Sequence, residues 1–361
     1  MSDIHSFEPL WNQWLVVKPI GTGSLSTVWL VKRFDEFSRQ TQYAAVKHLS
    51  IPIRSGEVDE LPPDQRQTIF QQQQREVMTE INALATLKGS PRIVAYEDHH
   101  VRPKADRPGF DIFLRTEVLC PLKDYIDQCR GLNLRQLLYL GLHMAEAIDA
   151  LENRKLIHRD IRPANIFVDQ DGEFKLGDFA MARMVEQGQL ARTPAGFTAY
   201  MAPEMYAGMP YDHTVDIYSL GIVLYTYLNG GRLPFQESGM PQEQAIKLRI
   251  ANRQPMPAPQ YAPADLAPII LKACAYRPSD RYQTAQELIR DLKQIIYRHR
   301  TELDSLPPSP RPVLRILEEK PPAPVEDTDR KARKKKLLLA GAVVLVMAAL
   351  ITAVVILGTA G

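Results

Sequence analysis

Leu156-Ile157-His158-Arg159-Asp160-Ile161-Arg162-Pro163-Ala164-Asn165-Ile166-Phe167-Val168 is the stretch on which the reading of this chain turns. Asp160 and Asn165 stand five apart on a loop between apolar runs. A carboxylate placed there can orient a hydroxyl nucleophile and take its proton, and the amide oxygen is a hard ligand suited to Mg²⁺. Eighteen residues after Asp160, the run Phe174-Lys175-Leu176-Gly177-Asp178-Phe179-Ala180 brings a second carboxylate, Asp178, able to bridge Mg²⁺ to nucleotide phosphates.

Upstream, Ile20-Gly21-Thr22-Gly23-Ser24-Leu25-Ser26-Thr27-Val28 lies between the strand-like runs Val16-Val17 and Val28-Trp29-Leu30-Val31. Two glycines let a hairpin backbone come close to phosphate oxygens and offer its N–H groups, because no Cβ blocks the approach. Alone, the pattern is as often an ordinary β-turn. A dinucleotide fingerprint would need a helix opening at the glycines, whereas a β-branched strand follows, which points to a flap over a nucleotide. Ala44-Ala45-Val46-Lys47 is a further strand ending in a lysine. A lone lysine in a strand is ordinarily a solvated side chain, and only the rest of the set gives Lys47 a meaning.

Taken in order, these segments resemble the eukaryotic-like Ser/Thr protein kinase family over about residues 14–298. The ordered set is a Gly-rich flap, an Ala-Val-Lys strand, a helix glutamate, His-Arg-Asp with Asn, Asp-Phe, then Ala202-Pro203-Glu204. The resemblance implies an α+β, two-lobed kinase fold, with a β-rich N-lobe over about 14–119 and a helical C-lobe over about 120–298. It implies ATP and Mg²⁺, with Mn²⁺ as a substitute, and protein substrates bearing Ser or Thr hydroxyls. By position, Lys47 would contact the α and β phosphates and pair with a helix glutamate. Glu76 and Glu80 are the candidates, and Glu80 is preferred because Leu84 and Leu87 follow it at helical spacing. Asp160 would be the catalytic base, with Arg162 facing the γ-phosphate, and Asn165 and Asp178 would hold the metal. Ile20, Gly21, Thr22, Gly23, Ser24, Val28 and Ala45 would line the nucleotide. Thr116 would be the gatekeeper, and Glu117 to Leu119 the hinge whose backbone meets adenine. His158 and Phe179 would be packing residues. Asp216 in Asp216-Ile217-Tyr218-Ser219-Leu220-Gly221 would brace the catalytic loop, and Glu204 would pair with Arg281.

Four positions depart from the family pattern. Ser26 replaces the flap's third glycine, Arg162 the usual lysine, Ala180 the glycine after Asp-Phe, and Phe197 a threonine. A catalytically inactive ATP-binding scaffold is therefore the second reading, but Lys47, Glu80, Asp160, Asn165 and Asp178 are all retained. Pro163 after Arg162 and the absence of a proline-rich landing site in 196–204 favour Ser/Thr over Tyr as acceptor. Arg159 before the catalytic aspartate is placed to pair with a phosphorylated loop, for which Thr193 is the expected autophosphorylation site. A second copy of the chain would then be the partner for phosphorylation in trans.

The remainder concerns the ends. Residues 1–13 read as a short lead with no signal peptide. Residues 299–329 are proline-rich, with Leu306-Pro307-Pro308-Ser309-Pro310 and Pro321-Pro322-Ala323-Pro324, and read as a semi-rigid linker. Within the body, Ser55 to Gln74 is a polar insertion expected to turn helical towards its end. Residues 337–358 are 22 uncharged residues, long enough as a helix for a hydrocarbon core of roughly 30 Å. The basic block 330–336 abuts them, so a single-pass protein with the preceding domain on the cytoplasmic side is expected. Only residues 359–361 follow, which leaves either a tail anchor or an external segment beyond this sequence. The net charge is +2, and with six basic residues in that block the body is mildly acidic, so no nucleic-acid partner is expected. Three cysteines, Cys120, Cys129 and Cys274, form no CxxC pair and read as reduced thiols.

Overall fold

The strands expected around the Gly-rich flap form one antiparallel sheet in a computed structural model, which describes residues 4–22, 26–51, 62–104, 109–179, 183–184, 199–251, 254–314 and 317. The sheet contains β1 (Leu15–Thr22), β2 (Ser26–Asp35), β3 (Gln40–Ile51), β4 (Tyr96–Pro103) and β5 (Phe110–Thr116), in the order β1-β2-β3-β5-β4. Along β3 the side chains alternate. Leu49 and Ile51 join the main core, while Ala44 and Val46 face a second, smaller one. In register, Lys47 sits between Val28 on β2 and Leu114 on β5.

Helix α1 (Pro63–Thr86) crosses beside this sheet. Pro62 and Pro63 open it, as suits a first turn whose N–H groups lack intrahelical partners. Val77, Ile81 and Leu84 recur at helical spacing and are buried, and they carry Glu80 inward with them. The insertion read from 55 to 74 thus belongs to α1 from Pro63 onward, while 52–61 lie outside the described residues.

Below come β6 (Cys120–Pro121), α2 (Leu122–Cys129) and α3 (Leu134–Glu152), the last opened by a reciprocal cap in which Asn133 and Gln136 satisfy each other's backbone N–H. Then follow β7 (Leu156–Ile157), β8 (Ile166–Val168), β9 (Phe174–Leu176) and β10 (Arg183–Met184). Strands β6, β8 and β9 make a small sheet, and β10 pairs with β7. The helical part is completed by α4 (Pro203–Tyr206), α5 (Thr214–Leu228), α6 (Gln242–Ala251), α7 (Ala267–Ala273), α8 (Ala285–Arg298) and α9 (Arg300–Ser305). Helix α5 is buried on nearly every side, and Gly221 permits this: a Cβ there would lie 2.7 Å from the Cys274 sulfur.

Two flanking segments pack on the domain, which the sequence does not announce. The lead does not stand apart from the domain. Ile4, Leu10 and Trp14 bury themselves against Val31, Ala44, Val46 and Phe113 on the outer face of the sheet. The Arg115 guanidinium lies over the rings of Trp11 and Trp14, at 4.7 and 5.0 Å. Its aromatic content is the reason, since no apolar run or periodicity announces it. The linker does not begin at 299 either. The described residues up to Leu314 belong to one unit. Leu303 on α9 is buried, the Tyr125 hydroxyl donates to the Pro310 carbonyl at 3.3 Å, and Gln128 exchanges two hydrogen bonds with the Val313 backbone. Extended, proline-rich backbone lies along α2 here, satisfied by the Tyr125 hydroxyl and the Gln128 amide. No helix among the described residues is long and apolar enough to cross a membrane, and 337–358 lie outside them.

Candidate active site

Lys47 lies within β3, which does not end at the lysine but runs on to Ile51, and it places its Nζ 2.7 Å from Glu80 Oε1 and 3.0 Å from Asp178 Oδ1. One ammonium thus ties the sheet, α1 and the segment after β9 together. Burial works against its charge, but the two carboxylates outweigh burial and hold it above the ordinary lysine range. Lys47 is therefore a fixed cation. Glu80 is buried, whereas Asp178 is 44% exposed on its side chain, so the second carboxylate faces the cleft.

Asp178 also has φ of +58°, a left-handed backbone uncommon outside glycine. Its neighbour Gly177 needs no such angle but has no room for a side chain, since a Cβ would meet Val94 at 2.7 Å and Phe167 at 3.0 Å. The Gly177 N–H donates to the Asn165 carbonyl at 2.9 Å, and its carbonyl accepts from His158 Nε2 at 3.1 Å. Burial pushes the His158 imidazole down to about 4, so the ring is neutral. With Nε2 protonated, Nδ1 is left to accept the Asp160 N–H at 3.3 Å. The ring also meets Phe179 edge-on, 4.9 Å between centroids. His158 is a structural hinge between the two aspartate segments.

Asp160 receives the Asn165 side-chain amide at 2.8 Å on Oδ2, and the same Nδ2 lies 2.8 Å from the Asp160 carbonyl. That fixes the amide's direction and leaves the Asn165 oxygen to face elsewhere. Burial pushes the Asp160 carboxyl up to about 6, against the pull of Asn165 and of Arg162. A base of that strength is well matched to neutral pH. Beneath the loop, Asp216 accepts the backbone N–H groups of His158 at 2.7 Å and Arg159 at 2.8 Å. Arg159 has φ of +70°, and this double acceptance holds it there. Its guanidinium donates to the Tyr211 hydroxyl at 3.0 Å.

On the nucleotide side, Gly21 lies opposite Val28 in the β1–β2 ladder, with Ile20 and Thr22 beside it. Among the described residues a Cβ on Gly21 would touch only Val28, at an ordinary 3.6 Å. The fold itself therefore does not demand glycine there, and the open space suits close approach of a ligand. Gly23 and Ser24 lie outside the described residues, as do Ala180, Thr193 and Phe197. Ala45 pairs with Thr116 across β3 and β5, just ahead of the hinge, and Leu119 is buried. The Glu117 carboxylate turns away from hinge chemistry. It accepts the Ala95 N–H at 2.7 Å and the Lys175 ammonium at 2.9 and 3.0 Å, linking the hinge to β9. Neither Gly177 nor the Glu117–Lys175 pair carries a signal in the sequence, since each depends on a neighbour distant along the chain.

Glu204 and Arg281 form a two-pronged pair at 2.6 and 2.8 Å, with no exposure of the arginine side chain. Arg281 also donates to the carbonyls of Thr214, Ala275 and Tyr276.

Asp178 and Asn165 offer oxygen donors, as a hard divalent cation prefers. Among the described residues no three His, Cys, Asp or Glu side chains cluster as a self-sufficient metal cage.

The model of the family described as "Protein kinase domain" matches residues 14–292. A protein named as a probable serine/threonine-protein kinase of Clostridium perfringens is 35% identical over 177 residues, 48% of this chain and 26% of its own length. The serine/threonine-protein kinase PknK of Mycobacterium tuberculosis is 32% identical over 235 residues, 64% of this chain and 20% of that protein. PknB of Corynebacterium glutamicum, named as a probable serine/threonine-protein kinase, is 35% identical over 165 residues, 42% and 25% respectively. This chain thus spans only a fifth to a quarter of the length of these curated relatives. With the family model covering most of the chain and the lysine, glutamate and aspartates gathered as described, the chain belongs to the protein kinase domain family.

Proposed function

We propose that this protein transfers the γ-phosphate of ATP to Ser or Thr hydroxyls of proteins. The observation that carries the reading is the meeting of Lys47, Glu80 and Asp178 through one ammonium. Asp160 and Asn165 are locked together in the neighbouring loop. In this reading Asp160, held near neutrality by burial, orients the acceptor hydroxyl and takes its proton. Lys47 holds the α and β phosphates and Glu80 keeps it aimed. Arg162, close enough to Asp160 to lower its carboxyl, neutralises the γ-phosphate with a planar fork in place of a lysine's point charge. Asn165 and Asp178 would hold Mg²⁺, which when bound offsets charge on the β and γ phosphates. Ile20, Gly21, Val28, Ala45 and the hinge backbone at Glu117 and Leu119 would seat the nucleotide.

Two further parts of the reading rest on sequence. Residues 337–358 anchor the protein in a membrane, with the basic block 330–336 keeping the catalytic domain cytoplasmic. Thr193 receives phosphate from a second copy of the chain, and Arg159 pairs with it.

The test is transfer of radiolabel from ATP to casein by the full chain beside Asp160→Asn. Label in the first and a loss of about a thousandfold or more in the second are expected. Equal label in both would remove the catalytic claim and favour an ATP-binding scaffold.

A further inference from the structure

Arg249 stands near the C-terminal end of α6 and is only 4% exposed. Its Nη1 donates to the carbonyl of Ala199 and its Nη2 to that of Met201, the latter at 3.2 Å. These two carbonyls flank Tyr200 and lead directly into Ala202-Pro203-Glu204. The Arg249 guanidinium also lies 5.7 Å from the ring centre of Tyr218 on α5, a ring that carries Arg281 at 4.7 Å as well. Burial raises the Tyr200 hydroxyl, and Arg162 of the catalytic loop and Arg249 both pull it back. Tyr200 therefore sits within the field of both arginines.

Removing a guanidinium from water is costly, and an apolar side chain of similar volume would often serve stability as well or better. What an apolar side chain could not do is hold two carbonyls on either side of one residue in a fixed fork, which is the geometry guanidinium provides. We propose that Arg249 is a positioning residue for the protein substrate. By gripping the carbonyls of Ala199 and Met201 it fixes the backbone on which the acceptor segment lies beside Asp160. This rests on the kinase reading above, and it assigns to α6 a part in choosing the acceptor.

Two measurements on the full chain and on Arg249→Met and Arg249→Lys test it. One is KM for casein against KM for ATP, and the other is hydrogen exchange at the Tyr200 and Met201 amides. Arg249→Met should raise the casein KM about tenfold or more, leave the ATP KM within about twofold, and speed exchange about tenfold. Arg249→Lys, which reaches one carbonyl at a time, should fall between, and it carries the comparison should the methionine variant not fold. An unchanged casein KM in a folded variant overturns the proposal, as does a parallel rise in both KM values. Should the native chain transfer no phosphate, the kinase reading fails by itself. The exchange rates then decide whether Arg249 fixes this segment, unchanged rates ruling it out.

Discussion

Two cation–carboxylate sets, built from the same chemistry, serve this domain in opposite ways. Lys47 with Glu80 and Asp178 lies at the cleft, and one of its carboxylates is 44% exposed. Arg281 with Glu204 lies deep in the helical lobe, where further donors of the arginine are taken up by backbone carbonyls. The first set keeps capacity facing outward, and the second spends its capacity inside. A lysine suits the first because a point charge can be shared between protein and phosphate, and an arginine suits the second because its fork fixes several partners at once.

The sharpest way to break this comparison is to alter one member of each set. Lys47→Met should lower kcat/KM by about a thousandfold or more, roughly 4 kcal/mol of transition-state stabilisation. The denaturant midpoint should fall by less than in Arg281→Met, because burial already raises the Glu80 carboxyl and it takes up a proton once its partner is gone. Arg281→Met should do the reverse. It leaves Glu204 buried and unpaired, at a cost of about 3–5 kcal/mol read from urea unfolding, while the fraction still folded keeps its ATP KM. Should Lys47→Met unfold the domain, or Arg281→Met leave stability intact, the division of labour is wrong.

A smaller effect concerns pH. Burial holds Asp160 up to about 6, and the base form is the deprotonated one. Activity should therefore rise with pH through that value and level off above it. At one unit below, kcat/KM should be about tenfold under its plateau. A profile flat between pH 5 and 8 would remove Asp160 as the titrating base. The least effect is expected at the hinge. The Glu117–Lys175 pair is partly exposed, so Lys175→Gln should cost under about 1 kcal/mol in thermal unfolding and shift the ATP KM only slightly.

Most of the cleft was legible because its residues act through local sequence. Gly21, Lys47, Asp160, Asn165 and Asp178 sit in short segments whose composition already states a chemical task. Glu80 was legible by helical spacing, which turns it to the same side as the buried Leu84. What stayed hidden depends on chain-distant company. Gly177 is glycine because Val94 and Phe167 crowd it, and Arg249 matters because Ala199 and Met201 come within its reach. Tyr211 as the partner of Arg159 is of the same kind. The packing of the segments that flank the family domain stayed hidden for a related reason. Residues 4–13 and 300–314 carry no strong periodicity, and what holds them is aromatic burial, a short helix and side-chain amides on extended backbone.

The burial of Ile4, Leu10 and Trp14 has a practical consequence for solubility. Family resemblance begins at residue 14, and a fragment trimmed to that point would lose Ile4 and Leu10 from the cluster that holds Val31, Ala44, Val46 and Phe113, leaving a greasy face with Trp14 as its remaining cover. Such a face invites self-association, so the trimmed domain should clump in solution where the longer one stays dispersed. The stretch that kinases hold in common and the stretch that can be safely cut out are different lengths of this chain.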